Sequence, residues 1–267
     1  MAKKNKGSMS LKTIIANNAV PIIFIALSAA AIPISGFSGT YLIQEMLTRL
    51  ARNSFLVLSL LIPILAGMGL NFGMVLGAMA GQIGMIFVTD WAVVGVPGMI
   101  LAGLIGTPIA MVLGYICGAV LNRAKGREMV TSYILGFFIN GVYQLIVLYC
   151  MGNIIPISNP QLVLSRGYGI RNAINLTGLR HVLDNLVPLK IMTVDVPVAT
   201  FIFIGAFCLF IVWFRRTKLG QDMRAVGQDM QVARDAGINV ERTRIMAIII
   251  STVLAGIGMI IYLQNMG

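Results

Sequence analysis

The sequence predicts an all-α fold, a polytopic membrane bundle of about seven transmembrane helices forming one domain over residues 1–267. Of these residues 58% are hydrophobic and only 11% are charged, and the mean hydropathy is +0.89. A soluble domain carries about 25% charged and 45–50% apolar residues, so this apolar excess cannot be hidden in one water-soluble core. The composition therefore excludes a disordered chain and argues against a soluble enzyme.

A helix that crosses roughly 30 Å of hydrocarbon needs about 20 mostly apolar residues. Seven segments fit this pattern, near residues 16–36, 54–70, 73–89, 93–121, 130–151, 197–214 and 244–263. The second and third, taken as one helix, would be roughly 54 Å long, too long for a single crossing. The run Gly67, Gly69, Asn71 and Gly73 therefore predicts a break between them. A cleaved signal peptide is the alternative interpretation of the first segment.

The 20 Lys and Arg residues, which give a formal charge of +11, are distributed unevenly between the predicted loops. Three lie at 122–129, and seven lie in 215–243 together with Arg244 at its edge. Four more, in the N-terminal segment 1–15, are Lys3, Lys4, Lys6 and Lys12. The other six are Arg49, Arg52, Arg166, Arg171, Arg180 and Lys190. Because basic loops are cytoplasmic, the N-terminus is predicted to be cytoplasmic and the loop 152–196 external. The charge therefore indicates orientation in the cell membrane and not a nucleic-acid partner.

Small residues recur every four positions around the predicted break. These are Gly69, Gly73, Gly77 and Gly81. This spacing allows close packing of helices around a bend, or a discontinuous helix beside a translocation path. Uncharged polar residues within the spans should face the interior of the bundle, where they are candidates for a substrate pathway. They are Asn71, Gln82, Asn140, Tyr143 and Gln144.

No Asp, Glu, Lys or Arg is expected in the middle of a span, which disfavours a proton- or ion-coupled carrier. No P-loop motif is present, so any power stroke would come from a partner. His181, in the predicted external loop, has no second ligand nearby in sequence, and the three cysteines (Cys117, Cys150 and Cys208) are dispersed. Neither a catalytic residue nor a metal site nor a cofactor is therefore predicted.

The polar stretch 215–243 contains two short helical patterns. Leu219, Met223 and Val226 form the first apolar stripe, which Gly227 ends, and Met230, Ala233 and Gly237 repeat the spacing. Asp229 is placed to cap the second helix and Gly237 to stop it. Two such helices suit a groove on another protein, or an interfacial loop held to anionic membrane lipid by its arginines.

The same stretch resembles the cytoplasmic coupling loop of the branched-chain amino acid/ribose class of ABC-transporter permeases, which also carry simple sugars and nucleosides. The resemblance rests on Arg216, Thr217, Gly220, Arg224, Ala225, Val226, Gly227, Ala233, Ala236, Gly237, Ile238 and Val240. It continues in Val196-Pro197-Val198 before the loop and in Leu254-Ala255-Gly256 after it. Members of this class usually continue for several more spans, so an incomplete chain is expected. The glycine-rich stretch also lacks the acidic residue found at the corresponding bend of ribose-type permeases.

The resemblance implies a dimer of permease subunits, two cytoplasmic ATP-binding subunits and an external solute-binding protein. It assigns coupling to the ATPase to Thr217, Gly220, Arg224, Val226, Gly227, Ala233, Arg234, Ala236 and Gly237. The amphipathic stretch 173–187 of the external loop is a candidate dock for the binding protein, or a helix that lies on the outer leaflet.

The expected function is therefore that of a non-enzymatic permease subunit for a small neutral polar solute, a simple sugar or a nucleoside. Uncharged amides along the path weakly favour such a solute over an ion. Branched-chain amino acids are the alternative substrate, and a non-transporting membrane scaffold or assembly protein is the alternative of another class.

Overall fold

The computed structural model describes residues 18–165, 167–171, 174–186, 188–191 and 194–266. The helices are α1 (Ala19–Ser35), α2 (Gly39–Ser59), α3 (Leu61–Leu65), α4 (Met74–Asp90), α5 (Gly95–Arg123), α6 (Glu128–Leu145), α7 (Val198–Phe214), α8 (Lys218–Gln228), α9 (Met230–Asp235) and α10 (Val240–Met266). A π-helical turn, Ile146–Cys150, extends α6. Strands β1 (Pro188–Ile191) and β2 (Val194–Pro197) form an antiparallel hairpin. The N-terminal lysines and Arg166 lie outside the described residues.

The predicted all-α membrane fold is confirmed, although the helices differ in length. In the described part of the chain, four helices are long and apolar enough to cross a membrane: α2 with α3, α5, α6 with its π-helical turn, and α10. A fifth span results if α7 and α8 are counted together across their 74° bend. Helices α1 and α4 are apolar but contain only 17 residues each. All seven predicted apolar segments are therefore helical, but four or five meet the length expected of a full crossing.

The second span begins at Gly39, and not near residue 54 as predicted, because α2 continues through a polar stretch. The candidate span Gly39–Leu65 therefore has Arg52 at its centre, although no charged residue was expected in the middle of a span. Arg49 donates from Nε to Glu45 Oε1 at 2.7 Å one turn away, which favours a helix over a loop. The Arg52 guanidinium lies 5.1 Å from the centre of the Tyr262 ring on α10, a cation–π contact.

The core of the bundle is formed by α4, α5 and α10, which approach one another through glycines. Gly77 and Gly81 of α4 lie against the backbone carbonyls of Thr252 and Gly256 on α10. A methyl group on Gly106 of α5 would lie 3.0 Å from the Ala80 carbonyl oxygen. Because lipid tails are as apolar as the side chains, this close packing of backbones is what holds the helices together. Half of the glycine stripe therefore packs helices, as the first of its two interpretations predicts.

The other half of the stripe lies in the break between α3 and α4. Gly69 of the stripe and the nearby Gly67 have φ angles of 65° and 72°, in the left-handed region that glycine adopts without strain. Asn71 is buried, and its Oδ1 accepts a hydrogen bond from the Gly73 backbone N–H at 2.9 Å. The predicted break therefore spans residues 66–73, and the Asn71 amide stabilises its turn.

The amphipathic stretch 173–187, for which a helix on the outer leaflet was one of two interpretations, forms turns over residues 177–186. Residues 173 and 187 lie outside the described part. Leu176 and Leu179 pack with Met85 of α4, and Leu183 packs with Phe55 of α2. The interpretation as a helix on the outer leaflet is thus wrong, because the same apolar spacing is satisfied by turns whose leucines point into the bundle, whereas the dock for a binding protein stays a prediction.

Asp184 in this stretch joins the ends of two helices. Its carboxylate accepts hydrogen bonds from Thr200 Oγ1 of α7 at 2.8 Å and from Asn265 Nδ2 of α10 at 2.9 Å. The His181 Nδ1 lies 3.0 Å from the same carboxylate. Burial raises the pKa of Asp184, but these hydrogen bonds, His181 first among them, outweigh it and leave the pKa below its ordinary value.

We expect this carboxylate to make stability fall in acid. A lowered pKa in the folded state means that the ionised form stabilises the fold above about pH 4, and that this contribution is lost as the pH falls below that value. The midpoint of thermal unfolding in detergent, measured from pH 7 down to pH 3, should fall less for Asp184→Asn than for the parent protein. Equal acid sensitivity of the two proteins would contradict this assignment.

Candidate functional site

A cavity of about 660 Å³ lies between α4, α6, the end of α10 and the loop after α6. Its polar lining residues are Gln82, Asn140, Tyr143, Gln144 and Arg171. Its apolar lining residues are Met85, Ile86, Val147, Leu148, Ile170, Ile174, Leu176, Leu263 and Met266. A small set of polar groups in a mostly apolar wall is typical of a site for a small molecule.

The sequence predicted four of the five polar residues around this cavity. Gln82 comes from α4, whereas Asn140, Tyr143 and Gln144 come from one face of α6 at i, i+3 and i+4 spacing. Asn71 does not line the cavity, because it lies in the break after α3, where its amide holds the turn.

Several lining residues were not singled out from the sequence. Val147 and Leu148 belong to the π-helical turn, a feature that is frequent at functional sites. Arg171 and Ile170 come from the loop after α6, where no periodicity marks an inward-facing residue. The Arg171 Nε donates to the Val163 carbonyl oxygen at 3.3 Å, and its side chain is exposed. This arginine adds a positive charge to an otherwise uncharged set of donors and acceptors.

A second candidate region, the knob, consists of α8 and α9 with the residues that end them, 217–238. Thr217 begins α8 by accepting a hydrogen bond from the Gly220 N–H at 3.2 Å, after the 74° bend from α7. Asp229 begins α9, since its Oδ1 accepts from the backbone N–H groups of Gln231 and Val232 at 2.7 and 3.1 Å. The two helices and the cap predicted at Asp229 are thus confirmed, and Gly237, with φ of 82°, follows α9 as expected.

The residues assigned to coupling fall into two groups within the knob. Val226 and Ala233 are buried and form one apolar cluster with Val240 at the start of α10. Gly220 is buried too, against the Phe214 carbonyl at the bend. The exposed or partly exposed members are Thr217, Arg224, Gly227, Arg234, Ala236 and Gly237. The buried residues therefore fold the knob, while Arg224, Arg234 and Ala236 present their side chains at its surface.

Gly227 does not end α8, which continues to Gln228. Instead it brings the knob against the break between the second and third spans. A methyl group on Gly67 would lie 2.7 Å from the Gly227 Cα, and one on Gly227 would meet the Leu65 carbonyl. Only glycine permits these two backbones to touch at this distance. The knob is thus in direct backbone contact with the segment that leads into α4.

The knob and the cavity lie at opposite ends of α10. Arg244, near its start, contacts Met230 of the knob, while Met266 at its end lines the cavity. At 1.5 Å per residue the two positions are roughly 33 Å apart, about the thickness of the hydrocarbon core. Among the described residues no three His, Cys, Asp or Glu side chains lie together in a metal-binding arrangement.

Comparison with known proteins gives one family and one curated relative. The family described as "Branched-chain amino acid transport system / permease component" matches residues 15–267. A segment of 72 residues is 38% identical to the "Probable ABC transporter permease protein YphD" of Escherichia coli (strain K12). That segment is 27% of this chain and 22% of the relative. No solved structure matches.

Proposed function

The chain belongs to the branched-chain amino acid permease family of ABC transporters, and from this premise we propose that it lines the solute pathway of an importer driven by a separate ATPase. The family supports a multi-pass membrane transport subunit. The cavity between α4 and α6 is the proposed solute site, and the knob is the proposed contact with a cytoplasmic ATP-binding subunit. In this orientation the N-terminus is cytoplasmic and the cavity end of α10 is external.

The observation that carries this proposal is the convergence of uncharged hydrogen-bonding groups from two helices on one cavity. Gln82 on α4 and three residues of α6 present amides and a phenol to a volume of about 660 Å³. Amides and hydroxyls donate and accept hydrogen bonds without charge, so they suit a small neutral polar solute such as a simple sugar or nucleoside. Branched-chain amino acids are the second candidate, favoured by the apolar wall and by Arg171, which would pair with a carboxylate.

The proposed partners follow from the exposed part of the knob. Val232 is 64% exposed, and Arg224 and Arg234 of the knob are exposed as well. A short amphipathic element with an apolar side chain and two cations at its surface fits an acidic groove on an ATPase. A second permease subunit and an external solute-binding protein complete the proposed importer. Membrane lipid covers the outer faces of the bundle.

The experiment that tests this function is reconstitution of the chain with candidate ATP-binding subunits in lipid vesicles. ATP hydrolysis that a specific sugar or nucleoside stimulates would support the proposal. Stimulation by leucine, isoleucine or valine instead would select the second candidate. Recovery of the intact chain without an ATP-binding subunit, and without any solute effect, would favour a scaffold protein.

We expect Asn140→Ala to raise the solute concentration for half-maximal stimulation by roughly tenfold, since one lost hydrogen bond in a buried site costs about 1–3 kcal/mol. The matched control is Phe138→Ala on the same helix, because Phe138 is 66% exposed and does not line the cavity. Equal half-saturating concentrations for the two variants would show that the solute binds elsewhere.

A further inference from the structure

A buried arginine joins three elements at the knob end of the bundle. Arg244 of α10 is 1% exposed, and its Nη2 donates to Glu128 Oε1 at the first residue of α6. Its Nη1 lies 3.4 Å from the Met230 Sδ at the first residue of α9. One guanidinium therefore contacts the knob on one side and the cavity-lining helix on the other.

Helix α6, which begins at Glu128, has few other contacts with the bundle. Only 11% of the apolar stretch in Glu128–Cys150 is buried, against 50% for α10. Near the N-terminus of α6, the Ser132 Oγ accepts a hydrogen bond from the Phe72 backbone N–H at 3.1 Å, which joins α6 to the break before α4. Because few residues of α6 are buried against other helices, its position in the bundle depends strongly on the contacts near Glu128.

The cavity residues of α6 lie on the same rigid element as Glu128. Asn140 is 12 positions further along, roughly 18 Å at the rise of an α-helix. A tilt of α6 about its N-terminal end, at Glu128, therefore moves Asn140, Tyr143 and Gln144 together. Interfaces of this kind convert small displacements at one site into larger ones at another.

We propose that the Arg244–Glu128 ion pair transmits movement of the knob to α6 and so links ATP hydrolysis to the shape of the solute cavity. This inference rests on the function proposed above. Arg244 and Glu128 are positioning residues, since neither lines the cavity. A buried ion pair adds little to stability, because the cost of removing both charges from water offsets their attraction. It does fix the orientation of the elements that carry it.

A second ion pair beside the first provides a matched control. Lys125, in the turn before α6, lies 3.6 Å from Glu241 of α10, so it joins nearly the same two elements. Both side chains of that pair are exposed, at 39% and 66%, whereas Glu128 and Arg244 are 11% and 1% exposed. An exposed pair is screened by water and is not expected to transmit movement.

The test measures ATP hydrolysis with and without solute in vesicles that hold the complete transporter. In Glu128→Gln we expect the ratio of stimulated to basal hydrolysis to fall by roughly fivefold or more, a typical size for coupling between two sites. The solute concentration for half-maximal stimulation and the recovery of the ATP-binding subunit should stay at parental values. Glu241→Gln should keep the parental ratio.

The charge-exchanged variant, Glu128→Arg with Arg244→Glu, restores an ion pair in reversed order and should recover most of the lost ratio. A parental ratio in Glu128→Gln would overturn the inference. Should that variant fail to assemble, loss of the ratio in an assembled charge-exchanged protein would overturn it and recovery would support it. Absence of solute-stimulated hydrolysis in the parent protein would instead contradict the proposed function.

Discussion

Gly77→Ala is expected to destabilise the bundle more than any other single methyl group added to α4. The new Cβ would lie against the Thr252 carbonyl of α10 and 2.9 Å from the Thr252 Cα. Both are backbone atoms, so the two helices would have to separate. Extra groups in a well-packed core cost about 1–3 kcal/mol and occasionally more, which exceeds the 0.5–1 kcal/mol that Ala gains over Gly in a helix.

The control for this substitution is Gly103→Ala on α5, where no heavy atom lies within 4 Å of the new methyl group. Thermal unfolding of the purified protein in detergent should give a lower midpoint for Gly77→Ala and an unchanged or higher midpoint for Gly103→Ala. Because the two variants have the same composition, a difference reports helix packing. Equal midpoints would contradict the close approach of α4 and α10.

Ala233→Asp is expected to abolish solute-stimulated ATP hydrolysis while leaving the chain in the membrane. Ala233 is 2% exposed and packs with Val226 and Val240. A carboxylate in this apolar cluster has no partner, and an unpaired buried charge costs several kcal/mol. The knob should therefore unfold, and stimulation should fall by at least roughly tenfold, since each 1.4 kcal/mol corresponds to that factor.

Gln231→Asp adds the same charge two residues earlier, at an exposed position in the first turn of α9. An acidic residue near a helix N-terminus is favourable, so the knob should stay folded in Gln231→Asp, in contrast to Ala233→Asp. Membrane extraction and limited proteolysis of the knob distinguish local unfolding from loss of insertion. Normal stimulation by Ala233→Asp would show that the knob does not couple to the ATPase.

Local sequence patterns predicted the knob well because its helices are set by neighbouring residues. Asp229 caps α9 through the N–H groups of Gln231 and Val232, only two and three positions away. The apolar spacing of Val226 and Ala233 likewise marks the faces that become buried. The apolar helices and the break at 66–73 were predictable for the same reason, because both depend on residues close together in the sequence.

Patterns failed where turns or polar helices carry the apolar residues. The stretch around Leu179 has helical spacing but forms turns, because its leucines are held by α4 and α2 and not by a helix of their own. Helix α2 begins far earlier than its apolar stretch, since the Arg49–Glu45 pair and contact with Tyr262 accommodate its charges. The leucines around Leu179 and the arginine beside Tyr262 thus depend on contacts from distant parts of the chain, which override local propensity.

The sequence by itself determined that this protein spans a membrane through apolar helices, that the second and third segments are separated, and that a two-helix knob precedes the last span. These properties depend on composition and on side chains a few positions apart. Only the tertiary structure decided that Gly77 packs helices while Gly69 forms a turn. It also brought Gln82 to Asn140 around one cavity and Arg244 to Glu128, which is 116 positions away in the chain. Such long-range contacts follow from how the helices pack, and a single sequence records residue spacing without recording which helices meet.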